Sequence, residues 1–514
     1  MIRRNPQEAS ARTYDLIIVG GGIYGIALSY VAARSGLTPL MLEQGDFAHA
    51  TSLQHLRIVH GGFRYLQSMD LPRFFESVGE RRWFLTHFGG LVQPLACMMP
   101  LYNRGIHRVP ILRLALGLND ILSRHRNDGV APAGHLANGR TVSPDEALAI
   151  FPGLIGRDLH GAAIWHDASV DDPQRLYIEW LRHACRLGAT ALNYCKATDL
   201  LRGAGRTEGV LVQDMVDGRE YRFQAPLVVN AAGPWCRELA ARFDRDREEL
   251  FRPSLACNVL FQRPALSSHA LALTPERPGA RTFFLRPWKG RLLAGTIHES
   301  WHQPADTPPR PSAAVLRGFL DDLNLAVPGL SLSENDILHI QAGLLPAREH
   351  GSARISVREI ILNHGAQGGP AGLWSVSGVK FTTARLVAEK TLGQIFPERQ
   401  KKLRQTRHDD GLAAAVDTSR GRLPAQSAEQ TASAPWQAAL QGLIAEESVV
   451  HLDDLALRRT SLGDDPPALM TLAPRLCTLF PWDAGRTNEE LTRLRHSLDV
   501  TWSRDEKRQP LEAA

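Results

Sequence analysis

The sequence predicts an α/β protein: a Rossmann-type nucleotide-binding domain, an inserted antiparallel-sheet domain and a C-terminal helical domain. Three observations carry that expectation. The apolar run Asp15-Leu16-Ile17-Ile18-Val19 leads directly into Gly20-Gly21-Gly22-Ile23-Tyr24-Gly25. A helical pattern then runs to Ser35, Gly36 closes it, and a second apolar run from Pro39 ends at Glu43. Farther on, strand-like runs recur up to Ser377, and Trp436 to Val500 reads as helix after a stretch rich in Ala, Ser, Gly and Gln.

The first unit is a βαβ crossover. Leu16 to Val19 is short and rich in β-branched residues, as a buried parallel strand requires. Ala27, Leu28, Val31 and Ala32 recur at helical spacing. Gly20, Gly22 and Gly25 satisfy G-x-G-x-x-G. The first glycine permits the tight turn, the second lets backbone approach a pyrophosphate, and the third lets helix pack on strand. The helix N-terminus offers free N–H groups to phosphate. Glu43 stands 23 positions after Gly20 and can accept hydrogen bonds from a ribose diol. The expected nucleotide site is therefore Gly20, Gly22, Ile23, Tyr24, Gly25, Glu43 and Gln44. The motif does not separate FAD from NAD, but its place at the start of a long chain favours FAD.

Residues 71–151 read as mostly helical, with polar loops around Asn127 to Arg140. Strand signals return at Gly161–Trp165, Gly209–Asp214 and Leu227–Ala231, around a helix from Asp172 to Leu187. Leu255–Gln262, Thr282–Arg286 and Leu292–Ile297 read as strands of a second sheet. Pro304 to Pro311 is a stiff loop. Ile355–Asn363 and Leu373–Ser377 read as strands before a helix from Thr382 to Ile395. The expected domains are 14–68, 160–235 and 346–400 for the nucleotide, 69–159 and 236–345 for the substrate, 409–435 as linker, and 436–514 as helical domain.

Composition bounds the rest. The chain has 514 residues, too many for one simple domain. Apolar residues make up 44% and charged residues 22%, which excludes a disordered or fibrous chain. Net charge is 59 − 54 = +5, too mild to imply nucleic acid. Six scattered cysteines form no C-x-x-C pair, so neither a disulfide framework nor a zinc ribbon is expected. A reducing cytoplasm is the simplest setting. The N-terminus shows no apolar signal region, and no apolar run reaches the ~18 residues of a membrane span.

Four segments go further. Ala50-Thr51-Ser52 precedes Arg57-Ile58-Val59-His60-Gly61-Gly62-Phe63-Arg64-Tyr65-Leu66. Val229-Asn230-Ala231-Ala232-Gly233-Pro234-Trp235 follows, then Ser377-Gly378-Val379-Lys380-Phe381-Thr382-Thr383-Ala384-Arg385. Together they resemble the FAD-dependent glycerol-3-phosphate dehydrogenases, within the D-amino-acid-oxidase-like flavoproteins. H-G-G-x-R-Y-L is the most specific part. Glu446, Asp453, Asp454, Leu455, Arg458 and Arg459 resemble that family's helical domain, so the likeness runs from about Tyr14 to Leu498.

The resemblance implies tightly held FAD. Thr51 and Ser52 would face the pyrophosphate, backbone near Ala197 the adenine, and Ala232 and Gly233 the nucleotide half. Lys380, Phe381 and Thr382 would face the pyrimidine end of the flavin, with His60 and Gly61 beside it. The implied reaction oxidises a secondary alcohol to a ketone, glycerol 3-phosphate to dihydroxyacetone phosphate, with hydride passing to flavin N5. His60, Arg64, Tyr65, Arg358 and Lys380 would be catalytic. An imidazole suits proton acceptance near neutrality, although His60 can equally only shape the loop. A membrane quinone is an implied electron acceptor.

The chain also departs from that family. The arginine expected before a proline, which would clamp the substrate phosphate, is Leu345 in Gly343-Leu344-Leu345-Pro346. A leucine cannot hold a dianion. Asn258 replaces a histidine, Gly295-Thr296-Ile297-His298 replaces G-T-T-D, and Val379 replaces a glycine. Leu53-Gln54-His55-Leu56 replaces a serine-rich stretch. Arg348 is a candidate replacement clamp. The alternative is an FAD oxidoreductase of the same fold acting on another small alcohol, hydroxy acid or amine. A flavin-binding protein without activity is a third class.

His298-Glu299-Ser300-Trp301-His302 matches H-E-x-x-H, but a strand spreads the two histidines about 13 Å apart, so no metal is expected. Ile111, Leu114, Ala115, Leu118, Ile121 and Leu122 share a helix face flanked by Arg108, Arg113, Arg124 and Arg126. Such a helix either packs on the substrate domain or attaches the protein peripherally to the inner face of the cell membrane.

Overall fold

The computed structural model describes the chain except residues 104, 106, 278–279, 401–402, 404–410, 422–433 and 500–514. A six-stranded sheet forms the nucleotide-binding half. Its order is Ile360–Asn363, Leu373–Ser377, Val228–Asn230, Leu16–Val19, Pro39–Leu42 and Thr190–Leu192. Leu16–Val19 lies mid-sheet, parallel to both neighbours, with all four residues buried. That double burial is why it reads as a continuous apolar run. Helices Ile23–Arg34, Pro173–Arg186 and Ala384–Ile395 pack together on one face. Tyr30, Trp83 and Trp180 form an aromatic cluster there.

A three-stranded antiparallel sheet, Cys195–Gly203, Arg206–Asp214 and Glu220–Gln224, covers part of the opposite face. The third sheet has nine strands. Its path is Ile337–Pro346, Pro253–Pro264, Arg291–Ser300, Phe283–Trp288, Ala270–Leu273, Val92–Pro100, Ala162–Val170 and Ile58–Val59, with Arg140–Val142 off the path. One face buries Val259, Phe261, Leu285 and Leu292 against Leu316, Phe319 and Leu323 of helix Ala313–Ala326. The other turns Ala256, Asn258 and Gly343 toward the nucleotide-binding half.

Three expectations need correction. Residues 71–151 are not all helical, because Val92–Pro100 and Arg140–Val142 are strands. Ile58–Val59 and Ala162–Val170, within segments expected for the nucleotide-binding domain, are strands of the nine-stranded sheet. Of the expected linker, 411–421 is packed: Leu412 is buried, and Arg420 bonds Glu446 and Glu447. Residues 409–410 and 422–433 of that stretch lie outside the described residues. The C-terminal helices Ala434–Glu446, Pro466–Cys477 and Ala484–Asp499 surround a core of Leu440, Leu455 and Leu476.

Candidate functional site

One cleft runs between the six-stranded and nine-stranded sheets, with about 1640 Å3 of empty space including its open mouth. The turn after Leu16–Val19 begins it, and loop 48–56, the start of Cys195–Gly203 and residues 231–235 continue it. Gly343–Pro346 and Gly378–Phe381 close it. Of the residues expected at the nucleotide, Gly20, Gly22, Ile23, Tyr24, Glu43, Gln44, Thr51, Ser52, Ala197, Ala232, Gly233, Lys380 and Phe381 line this cleft.

The glycines divide their work. Gly20 has φ +113°, and a Cβ there would lie 2.5 Å from the Ala231 carbonyl oxygen. A Cβ on Gly25 would lie 1.8 Å from the Gly20 carbonyl oxygen, so Gly25 serves packing and does not line the cleft. Gly22 is the open one, with only Ser52 Oγ at 3.1 Å from such a Cβ. Helix Ile23–Arg34 has no side-chain cap from Gly22. Ser52 Oγ accepts from the Ile23 N–H at 2.9 Å. The other first-turn amides have no intrahelical acceptor. Glu43 accepts from the Gly21 N–H at 2.6 Å and the Gly45 N–H at 2.8 Å, which fixes both turns beside it.

At the other end Phe381 stacks on His55, with ring centres 4.8 Å apart, and on Phe84 at 5.1 Å. Burial, then Arg57 and Arg286, pushes the His55 pKa down to about 3, so the ring is neutral. Its Nδ1 accepts from the Arg57 N–H at 2.9 Å, which places the ring proton on Nε2, 3.1 Å from Tyr177 Oη. Tyr177 donates in turn to the Ser52 carbonyl at 2.5 Å. Loop 51–57 is thus held from behind by a directed chain of hydrogen bonds.

Of the residues expected to act on substrate, Lys380 lines the cleft, and Tyr65 and Arg358 adjoin it. Lys380 Nζ donates to the Tyr65 hydroxyl and lies 4.5 Å from the centre of its ring, with Arg73 at 4.9 Å. Tyr24 Oη bonds the Lys380 carbonyl and amide, at 2.9 and 3.1 Å. Arg358 joins Lys380, Tyr24 and Arg73 around a small pocket. Arg64 is exposed on helix Phe63–Gln67 with no partner among the described residues. Thr382 is buried and outside the cleft wall.

His60 and Gly61, expected beside the flavin, are not among the residues that line the cleft. Both turn to Asp167. His60 Nδ1 lies 3.2 Å from Asp167 Oδ2, and the Gly61 N–H donates to Oδ1 at 2.7 Å. Arg81 donates to the same oxygen at 2.8 Å. Burial pushes the Asp167 pKa up, but the His60 bond, Arg81 and the Gly61 amide outweigh it and lower it to about 2.

A family description for FAD dependent oxidoreductases matches residues 15–391. The chain belongs to that family. The glycerol-3-phosphate dehydrogenase of Synechocystis is 28% identical over 409 residues, 76% of this chain and 72% of that protein. Glycerol-3-phosphate dehydrogenase 1 of Mycobacterium tuberculosis is 27% identical over 493 residues, 88% and 92% of the two chains. The FAD complex of the Bacillus halodurans glycerol-3-phosphate dehydrogenase shares the fold, with a TM-score of 0.71 at 20% identity over 96% of each chain.

The cleft of this FAD-dependent oxidoreductase fits its cofactor. Gly22 leaves a cradle that a Cβ would narrow, beside a helix N-terminus suited to a pyrophosphate. Leu345 lines the cleft, so no guanidinium stands at that position. Arg348 does not replace it. It sits in an exposed turn, where its N–H donates to the Arg354 carbonyl at 2.8 Å. Asn258 staples the cleft, since its Nδ2 donates to the Gln54 carbonyl at 3.2 Å and its Oδ1 accepts from Thr296 at 2.9 Å. His298 lies on a strand opposite Ala256, where burial, then Arg281 and Arg64, lowers its pKa to about 4.

Sequence reasoning missed Asp167, Tyr177, Trp235 and Asp306. Trp235 Nε1 donates to Asp306 at 2.5 Å across the mouth of the cleft. Asp167 is about 100 residues from His60, and no local spacing links them.

Proposed function

We propose that this oxidoreductase oxidises a small secondary alcohol to a ketone, with glycerol 3-phosphate and dihydroxyacetone phosphate as the substrate and product. The carrying observation is the group of cations beside the cleft. Lys380 lines the cleft and shares a small pocket with Arg358, and its one side-chain partner is the uncharged Tyr65 hydroxyl. Cations at a cleft suit a phosphate-bearing substrate.

FAD, when bound, supplies the hydride acceptor at flavin N5. The remaining work falls to side chains. His60, half-exposed on the loop that Tyr65 ties to Lys380 of the cleft wall, accepts the hydroxyl proton at Nε2, because Nδ1 faces the ionised Asp167. Asp167 orients the ring and offsets the charge it gains. Lys380 and Tyr65 position the substrate against the cleft, and Arg64 and Arg358 hold its anionic end. Aromatic packing of Phe381, His55 and Phe84 keeps water from the cleft floor.

Leu345 supports the second reading, oxidation of another small alcohol, hydroxy acid or amine, because the cleft carries no charge there. Anaerobic mixing of the flavin-loaded protein with glycerol 3-phosphate separates the two. Bleaching of the flavin absorbance supports the first. A flavin that stays oxidised with it, yet bleaches with an unphosphorylated alcohol, hydroxy acid or amine, supports the second.

We further infer peripheral attachment to the inner face of the cell membrane, with a quinone as electron acceptor. Among the described residues no helix is long and apolar enough to cross a membrane. Helix Val109–Leu122 buries Leu112 and Leu116 but leaves Leu114 77% and Ile121 67% exposed, on a face shared with Ile111 and Leu118. Arg108, Arg113 and Arg124 flank it. Arg126 does not, being buried against Asp120 and Asn138. An exposed apolar stripe edged by cations suits an anionic bilayer. Sedimentation with anionic vesicles tests it, and a Leu114→Glu, Ile121→Glu variant that still sediments would defeat it.

A further inference from the structure

A second cavity of about 440 Å3 lies on the far side of loop 51–57 from the cofactor cleft, walled by the nine-stranded sheet and the C-terminal helices. Its position follows from sheet register. Ala256 pairs with Gly343 and Asn258 with Gln341, then Leu260 with His339, all on one face of adjacent strands. The first of these residues line the cofactor cleft, and Leu260, His339 and Gln341 line the second cavity. Gln54 and His49 border both.

The polar groups facing this cavity are unequally satisfied. Its carboxylates are all committed. Asp46 pairs with Arg458 and Arg459, Asp453 with Arg458 and Arg493, and Asp464 with Lys289. Arg57 is different. It is only 8% exposed, and among the described residues its counter-charges, Asp464, Asp172 and Asp171, act on it from beyond ion-pair distance. One Nη donates to the Asp171 carbonyl at 3.0 Å, the guanidinium lies 4.3 Å from the centre of the Trp288 ring, and Nε has no partner. The backbone at Arg57 is held in the left-handed region, φ +62°. Gln341, 3% exposed, leaves Oε1 without a partner. A buried cation without a direct ion pair is costly and so is a buried unpaired amide oxygen. Arg57 and Gln341 both line this space of ligand size.

We propose that this cavity is a binding site for a small organic anion, separate from the cofactor cleft. The ligand carries one carboxylate or phosphate for Arg57 and a polar group for the Gln341 side-chain amide. Its carbon body lies along Leu260 and Leu457. Burial, then Arg57, lowers the His339 pKa to about 4, so that ring presents no competing cation. A hydroxy acid or a phosphorylated polyol acid meets these requirements, and an uncharged alcohol does not.

The test is calorimetric titration of the FAD-loaded protein with inorganic phosphate, glycolate and 3-phosphoglycerate. Arg57→Met, Gln341→Met and Lys380→Met variants are titrated alongside. At least one probe is expected to bind one per chain, with glycolate and phosphate showing which head group is preferred. Binding is expected to survive Lys380→Met and to weaken about 10-fold or more in Arg57→Met and Gln341→Met, one hydrogen bond to a charged partner being worth about that much. Should Arg57→Met fail to retain FAD, Gln341→Met alone carries the test. Absence of binding by all three probes overturns the proposal. So does binding that Lys380→Met abolishes and Gln341→Met leaves intact, which would place the anion in the substrate site.

Discussion

Arg459 grips Asp46 with both terminal nitrogens, Nη1 at 2.7 Å from one carboxylate oxygen and Nη2 at 2.8 Å from the other, and both side chains are fully buried. Arg458 adds a third bond to Asp46 at 2.7 Å. Burial alone would raise the Asp46 pKa, but Arg459 and Arg458 outweigh it and hold the carboxyl well below its usual range. Asp46 follows the Pro39–Leu42 strand, close to Glu43, so the pair ties the C-terminal helices to the cofactor turn. Asp46→Asn leaves two buried guanidinium groups short of a counter-charge. A loss of about 3–5 kcal/mol is expected, read as a lower denaturant midpoint. An unchanged midpoint would show that Asp453 and Asp454 suffice.

The glycine motif makes a graded prediction. Gly25→Ala drives a methyl into the Gly20 carbonyl, where nothing can yield except the turn itself. That variant is expected to purify without flavin. Gly22→Ala meets only Ser52 Oγ at 3.1 Å and is expected to fold and bind FAD more weakly. The visible absorbance of bound flavin separates them. Equal flavin content in the two variants would contradict the division of roles.

Acid sensitivity follows from the buried histidines. Burial lowers the pKa of His55 to about 3, and of His298 and His339 to about 4. All three lie below the unfolded value near 6.5, so the unfolded chain takes protons first as pH falls. Their contribution is complete above about pH 6.5 and drains away toward pH 3–4. For His55 the loss between pH 7 and pH 5 is about 2 kcal/mol. Urea unfolding across that range is expected to show the slope, and His55→Gln to flatten it. An unaltered slope would mean that His55 takes up its proton while folded.

Much of this was legible in the chain because each signal was local. Leu16–Val19, Gly20 to Gly25 and Glu43 lie within one crossover, where spacing alone states the geometry. The Val92–Pro100 strand was not legible, because two prolines and Gln93 break its alternation and its pairing comes from Ala162–Val170, far away. The site divided in the same way. Residues on the cofactor turns were found from motifs, whereas Asp167 and Tyr177 act through partners about 100 residues distant. The tie of His60 and Gly61 to Asp167 was not legible for the same reason.

The pairing of His60 with Asp167 gives the sharpest test of the chemistry. Asp167 touches the His60 ring, the Gly61 amide and Arg81, and is a positioning residue. Asp167→Asn keeps the shape but removes the charge that offsets a protonated imidazole. The rate of flavin bleaching by substrate is expected to fall about 100-fold or more, within the usual span of general-base effects. His60→Gln is expected to cost a similar factor and to remove the acidic limb of the rate profile, because no imidazole is left to protonate. The pH profile discriminates where the rate alone does not. If His60 only shapes its loop, both variants lower the rate evenly at every pH and the acidic limb survives. Retention of that limb in His60→Gln would move the proton acceptor to another group, with Asp167 left as the anchor of the loop through Gly61 and Arg81.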